Sequence, residues 1–276
     1  MIIGMRGHDF GRMQPDALAQ AIADTGFCAT QLAFGKAFPP PASQYMDEPS
    51  LCAIRKAFSD RAIALPVMGC YVSASDADET RLAAATASFC ECLRASVILG
   101  AGCVGTETTH FTCDASEREA AYARLLGFVR TAVSVAEACG AVVGIEPVAY
   151  HTLCSPEMTR RLLDDVPSDH LRVILDSANL LPPGQSAPEL QRELVQRSLT
   201  LFGDKICVLH VKDGVWNGEN KWENRPLGEG VMDWPTLLPL LRERNDSLCA
   251  LREGVWPGKA REEYAVMCRW AQLDNA

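Results

Sequence analysis

A chain of 276 residues with 48% hydrophobic and 22% charged residues has the size and composition of one globular domain with a substantial core. Its formal net charge of −9 argues against a general binder of phosphate backbones, which needs a basic face or stripe. The opening MIIGMRGHDF has only a short apolar run before charge, so it reads as a strand rather than a secretory leader, and no uninterrupted apolar run reaches the length of a membrane span. The 12 cysteines are scattered, with no CxxC pair, and Cys28, Cys70, Cys139, Cys207 and Cys249 sit in apolar contexts where a free thiol acts as a small hydrophobe. A reducing compartment, hence the cytoplasm, is the expected location.

Apolar runs of strand character fall at Ile2 to Met5, Cys28 to Leu32, Ala64 to Met68, Ser96 to Cys103, Ala141 to Ile145, Leu171 to Leu175, Lys205 to Leu209 and Leu248 to Leu251. Between and after them come eight segments with apolar residues three and four apart, among them DALAQAIADTG, SEREAAYARLLGFVRTAVSVAEACG and SPEMTRRLLDDV. Regular βα alternation predicts a parallel sheet, and eight repeats without a second composition block predict closure into a single α/β domain over residues 1–276, a (β/α)8 barrel of the TIM type. A doubly wound open sheet is the competing architecture. It usually carries a nucleotide loop after its first strand, and GMRGHDFG lacks the GxGxxG spacing.

Two long connections, Phe38 to Ser50 and Asp213 to Gly230, follow strands and so belong to the face where strands end. They read either as plain surface connections or as a lid or substrate wall, the latter in particular for Trp216 and Trp222. Gly228 to Gly230 reads either as a phosphate-binding turn or as a plain turn.

The chemistry is concentrated at four strand ends. Glu146 follows AVVGI, Asp176 follows LRVIL, His210 follows KICVL and Glu253 closes the run SLCALRE. In a closed parallel barrel all carboxyl ends meet at one mouth, so these side chains converge. Three carboxylates and one imidazole in a small volume repel one another unless a cation compensates them, and that donor set suits Mn²⁺, Zn²⁺ or Mg²⁺. Singly, each has a plain explanation: Glu146 as a rim carboxylate, Asp176 as a turn cap, His210 as a satisfied core histidine, Glu253 as a partner of neighbouring cations. Surface decoration does not readily place all four after separate strands. Strand parity adds Lys212 to the face of His210, Arg6 and His8 to that of Gly4, and Glu107 to that of Cys103 and Gly105. Arg6, His8, Glu107, His151 and Lys212 are candidates for gripping substrate hydroxyls or a terminal anion; Arg6 could instead neutralise Glu107, and His151 could stabilise its loop.

With IEPV around Glu146, LDSANLL around Asp176, LHVKD around His210, LGEGVMDW at Leu227 to Trp234, and REG at Glu253, nearly the whole chain resembles the xylose isomerase-like TIM barrels. MRGHDFG, VGTET and EPVAYHTLCSPE look like one sugar isomerase/epimerase subgroup. The resemblance implies that Glu146, Asp176, His210 and Glu253 hold one divalent metal, commonly Mn²⁺, with Mg²⁺, Co²⁺ or Zn²⁺ as alternatives. It also implies that Glu146 and Glu253 are the acid/base pair. The ligand set then supports isomerisation or epimerisation of a small sugar, keto-sugar or cyclitol through a metal-stabilised cis-enediolate. A leaving group at the next carbon makes the same site a lyase, as the inosose dehydratase relatives imply; a non-catalytic barrel is a third reading. Endonuclease IV relatives use three zinc ions, which five histidines and an acidic chain do not favour. Many members carry Asp-x-x-His where this chain has Asn179 after Asp176, an amide that binds a hydroxyl but does not titrate near neutrality. No nucleic acid or membrane partner is expected, and the assembly expected is a homodimer or homotetramer.

Overall fold

The computed structural model describes residues 1–273. Eight parallel strands close into a barrel: β1 (Ile2–Arg6), β2 (Ala29–Leu32), β3 (Ala64–Gly69), β4 (Cys103–Glu107), β5 (Val143–Glu146), β6 (Leu171–Asp176), β7 (Ile206–Val211) and, after an antiparallel hairpin of β8 (Asp213–Trp216) and β9 (Trp222–Arg225), β10 (Cys249–Arg252). β10 pairs with both β1 and β7, so the sheet has no free edge. The helices form the outer ring, and outward strand residues such as Met5, Leu32, Val104, Ile145, Leu175 and Leu209 belong to the large core beneath them.

Inward residues follow the alternation set by parity. Ala29, Val67, Cys103, Ile174, Val208, Cys249 and Leu251 form a separate buried cluster inside the barrel. Space there is tight: a Cβ at Gly105 would lie 2.7 Å from Val67 and 2.8 Å from Ile174. With hydrocarbon filling the lower barrel, the next inward position on each strand opens on the mouth. On β2, β4, β5, β6 and β7 those positions are Gln31, Glu107, Glu146, Asp176 and His210.

The fourth strand starts later than the sequence suggests. Ser96 to Leu99 ends a helix, Glu79–Leu99, N-capped by Asp78 and closed by Gly100 in the left-handed conformation at φ 75°. Phe89, Leu93, Ser96 and Leu99 are buried at helical spacing, so tertiary packing carries the apolar run ASVIL as helix to its glycine cap. This 21-residue helix is long and apolar enough to cross a membrane; in the protein it packs between the helices Glu48–Ser59 and Arg118–Cys139.

The connection at Phe38 to Ser50 is mostly exposed and is pinned to the core by two buried rings, Phe38 lying 5.0 Å from Phe34 and 5.0 Å from Tyr45. The second connection is the β8–β9 hairpin, whose Trp216 and Trp222 rings meet edge to face at 5.2 Å. Its anchor is Asp213, fully buried, whose carboxylate accepts the backbone N–H groups of Gly214 and Gly228, both at 2.9 Å, Gly230 at 3.2 Å and Met232 at 3.1 Å. The turn at Gly228 to Gly230 therefore already holds an internal carboxylate on two of its amides, which favours the plain turn of the two readings. Asp213→Ala leaves the buried amides of Gly214 and Met232 unmet, at about 1–3 kcal/mol each, and frees those of Gly228 and Gly230 nearer the surface. The variant is expected to lose about 3 kcal/mol or more in urea unfolding; an unchanged midpoint would show that the hairpin does not depend on this anchor.

Candidate metal centre and active site

Glu146 and Asp176 are the last residues of β5 and β6, His210 is the penultimate residue of β7, and Glu253 lies one beyond β10. Register sets Asp176 beside His210 and Glu107 beside Glu146. One donor atom from each of Glu146, Asp176 and His210 falls within 4.8 Å of the others, and all three residues are buried. Glu253 adjoins them, with its Oε1 3.5 Å from His210 Nδ1, and Glu146 Oε2 lies 3.2 Å from the same nitrogen.

The hydrogen bonding within this group is incomplete. His210 Nδ1 and Asp176 Oδ2 are buried without an aligned hydrogen-bond partner, although Lys212 Nζ stands 3.2 Å from that oxygen. The other side of each residue is satisfied: Asp176 Oδ1 accepts the Asn179 N–H at 2.9 Å, and His210 Nε2 meets Gln31 Oε1 at 2.8 Å. Two unmatched donor atoms beside carboxylate oxygens are what a divalent cation of N/O preference fits.

Charges within and around the group balance it. Burial tends to lower the His210 pKa, but Glu253 and Glu146 outweigh it and raise it to about 9. Glu253, for which burial works the other way, is held at about 2 by His210, Arg6 and Lys212. Asp176 is raised to about 6 by burial, with Lys212 opposing and Glu146 reinforcing the shift. Lys212 stays raised despite burial because Asp176, Glu253 and Glu146 surround it.

The candidate substrate residues divide into two sets. Arg6 pairs with Asp9 at 2.8 Å and Glu253 at 3.5 Å, rather than with Glu107. His8 follows on a 3-10 turn, its pKa lowered to about 3 by burial and by the charges of Arg6 and Lys36. Opposite lie Glu107, raised to about 7 by burial and by Glu146 and Glu253, and His151, lowered to about 4 by burial and His110. His151 Nε2 is 3.8 Å from Glu107, and a neutral imidazole makes this a polar contact instead of an ion pair. His151 also forms a β-bridge with His110, which ties the loops after β4 and β5 together. Asn179 Nδ2 donates to Glu146 Oε1 at 2.6 Å and its Oδ1 accepts from Lys212, so the amide links a cation to a candidate base.

Beside this group opens a cavity of 410 Å³ lined by His110, Tyr150, Trp216 and Trp222 as well as Asn179 and Lys212. The aromatic content of the hairpin was visible in sequence; the contributions of His110 and Tyr150 depend on how the loops fold. Asp9 was also missed. It grips Arg6 and accepts the N–H groups of Gly254 and Val255 at 2.8 and 2.9 Å, locking the segment after Glu253 to the first strand. Gln31 and Tyr71 were missed as well, although Gln31 carried a signal: a polar residue at inward parity at the end of a strand.

Residues 19–270 match the xylose isomerase-like TIM barrel family, and the chain belongs to it. No curated protein matches it. Among solved structures it is similar to D-psicose 3-epimerase in the presence of D-fructose, at 18% identity and TM-score 0.75, covering 98% of this chain and 99% of that one. It is similar to an IOLI protein with a binding zinc atom, at 15% identity and TM-score 0.77, covering 98% and 96%. A third similar structure is endonuclease IV from Thermus thermophilus, at 17% identity and TM-score 0.72, covering 99% of both chains. At these identities the likeness establishes the shared fold.

Because His210 carries a proton up to about pH 9 in the metal-free protein, a metal that takes its Nδ1 must displace that proton. Calorimetry in buffers of different ionisation enthalpy, at about pH 7.5, is expected to show net release of about one proton per ion, with affinity rising as pH approaches 9. Affinity independent of pH between about 6 and 9, with no proton released, would show that binding displaces no proton from His210 in this range.

Proposed function

We propose that this protein is a metal-dependent isomerase or epimerase of a small sugar or keto-sugar. The observation that carries this reading is the juxtaposition of two glutamates with an incompletely hydrogen-bonded Asp176–His210 pair at the barrel mouth. Glu146, Asp176, His210 and Glu253 would hold one divalent ion, Mn²⁺ being the first choice for an oxygen-rich set with one imidazole. Such an ion supplies a Lewis acid that polarises a substrate carbonyl.

The chain supplies the rest. Glu146 and Glu253 project from β5 and from the end of β10, flanking β6 and β7 in the barrel order. One glutamate removes the proton on the carbon next to the carbonyl. If the other returns a proton to the opposite face, that carbon is inverted; return to the neighbouring carbon on the same face converts ketose to aldose. Arg6, paired with Glu253, and Lys212, paired with Asp176, are the fixed positive charges that would stabilise negative charge developing on substrate oxygens. Glu107, with its pKa near 7, can donate to or accept from a sugar hydroxyl, and the neutral His8 and His151 can do the same. The aromatic cavity offers flat apolar surfaces to a sugar ring. The fold shared with D-psicose 3-epimerase supports a sugar substrate, and the acidic net charge weighs against DNA.

Two measurements test the reading. Incubated with metal in deuterium oxide, the protein is expected to wash deuterium into one or more ketoses without loss of water; water loss marks a lyase, and no exchange across ketoses and inososes removes the proposal. Glu146→Gln and Glu253→Gln are expected to lower turnover about 100-fold or more while retaining most of the bound metal. Asp176→Asn and His210→Ala are expected to lose metal and turnover together. Near-normal turnover in both Gln variants rejects the two-glutamate mechanism.

A further inference from the structure

The hydrogen bond that fixes His210 comes from a strand remote in sequence. Gln31 is 2% exposed and sits at the inward position of β2, in register with Arg6 of β1 and Val67 of β3. Its Oε1 lies 2.8 Å from His210 Nε2, while its Nε2 donates to the Tyr71 hydroxyl beyond the end of β3. The amide thus bridges the two side chains, with its acceptor oxygen aimed at the imidazole. An oxygen acceptor there requires the proton on Nε2, and this leaves Nδ1 as the nitrogen with a lone pair once the ring is neutral. Nδ1 is the buried, unpartnered atom that faces Glu146 and Glu253.

We propose that Gln31 is a positioning residue for the metal centre: it holds His210 in the Nε2–H form and turns Nδ1 toward the ion. The inference rests on the metal reading above and extends it to a residue that touches neither metal nor substrate. An amide acceptor is weaker than a carboxylate, so Gln31 orients the ring without adding negative charge beside Glu253 and Glu146.

Zinc is the suitable probe because it is diamagnetic. Its affinity is measured by competition with a chromophoric chelator at fixed pH for wild type, Gln31→Met and Gln31→Glu. Met has similar length but offers no oxygen acceptor, and it is expected to weaken zinc binding about 10- to 100-fold. Glu restores the acceptor and is expected to bind zinc at least as tightly as wild type. This rescue distinguishes orientation from packing, since a packing role predicts no recovery by a buried carboxylate. ¹⁵N-histidine NMR of the zinc-loaded wild type is expected to show His210 protonated on Nε2 and bonded to zinc through Nδ1. The NMR result decides even if Gln31→Met fails to fold.

The proposal is overturned by affinity within about twofold of wild type in Gln31→Met, since the expected loss is about 10-fold or more. Equal weakening by Met and Glu, or zinc on Nε2, also overturns it. Wild type that binds no zinc or other divalent ion removes the metal reading itself, whereas tight wild-type binding with an indifferent Gln31→Met removes this inference alone.

Discussion

Charge balance among buried carboxylates governs the barrel mouth. Glu146, Asp176 and Glu253 face one another across the ends of three barrel strands, and in the metal-free protein three cations face them: Arg6, Lys212 and protonated His210. Buried carboxylates at this density persist only with such compensation. Under the metal reading proposed above, a divalent ion taking the place of the His210 proton would bring a net gain of one charge. That gain favours ionisation of Glu107, whose neutral form is otherwise maintained by burial and by the same carboxylates. On that reading, metal entry and the protonation of Glu107 would be linked by electrostatics.

The supports of the centre lie one contact away from it. Asp9 fixes both Arg6 and the backbone after Glu253, so the cation opposite the candidate base and the base itself share one anchor. Asn179 joins Lys212 to Glu146 through the two ends of one amide. A histidine in that position could titrate; the amide cannot, and it transmits orientation without exchanging a proton. Asp213 does the comparable work for the hairpin, drawing four backbone amides around one buried carboxylate and so presenting Trp216 and Trp222 to the cavity. Each support is a polar side chain with its hydrogen bonds directed at backbone or at a charged partner. Such contacts tie the loops of the mouth to the ends of the strands below them.

The sequence by itself determined the barrel and which residues turn into its mouth. Alternation of period two makes the inward set computable from any one inward residue, and the closed parallel sheet brings strand ends together whatever their separation along the chain. Hence Glu146, Asp176, His210, Glu107 and Lys212 could be placed at one site from their spacing. The start of the fourth strand was not legible, because a β-branched run before a glycine satisfies a strand pattern as well as the last turn of a helix, and only the buried face of Glu79–Leu99 decides between them. Partner choice was decided by tertiary structure: Arg6 with Asp9 and Glu253 instead of Glu107, the Gly228 and Gly230 amides with Asp213 instead of a phosphate, and His210 with Gln31, 179 residues away. Residue type and parity limit where a side chain can point, but which donor meets which acceptor depends on strand register and loop path, and these are set by packing among segments that share no local signal.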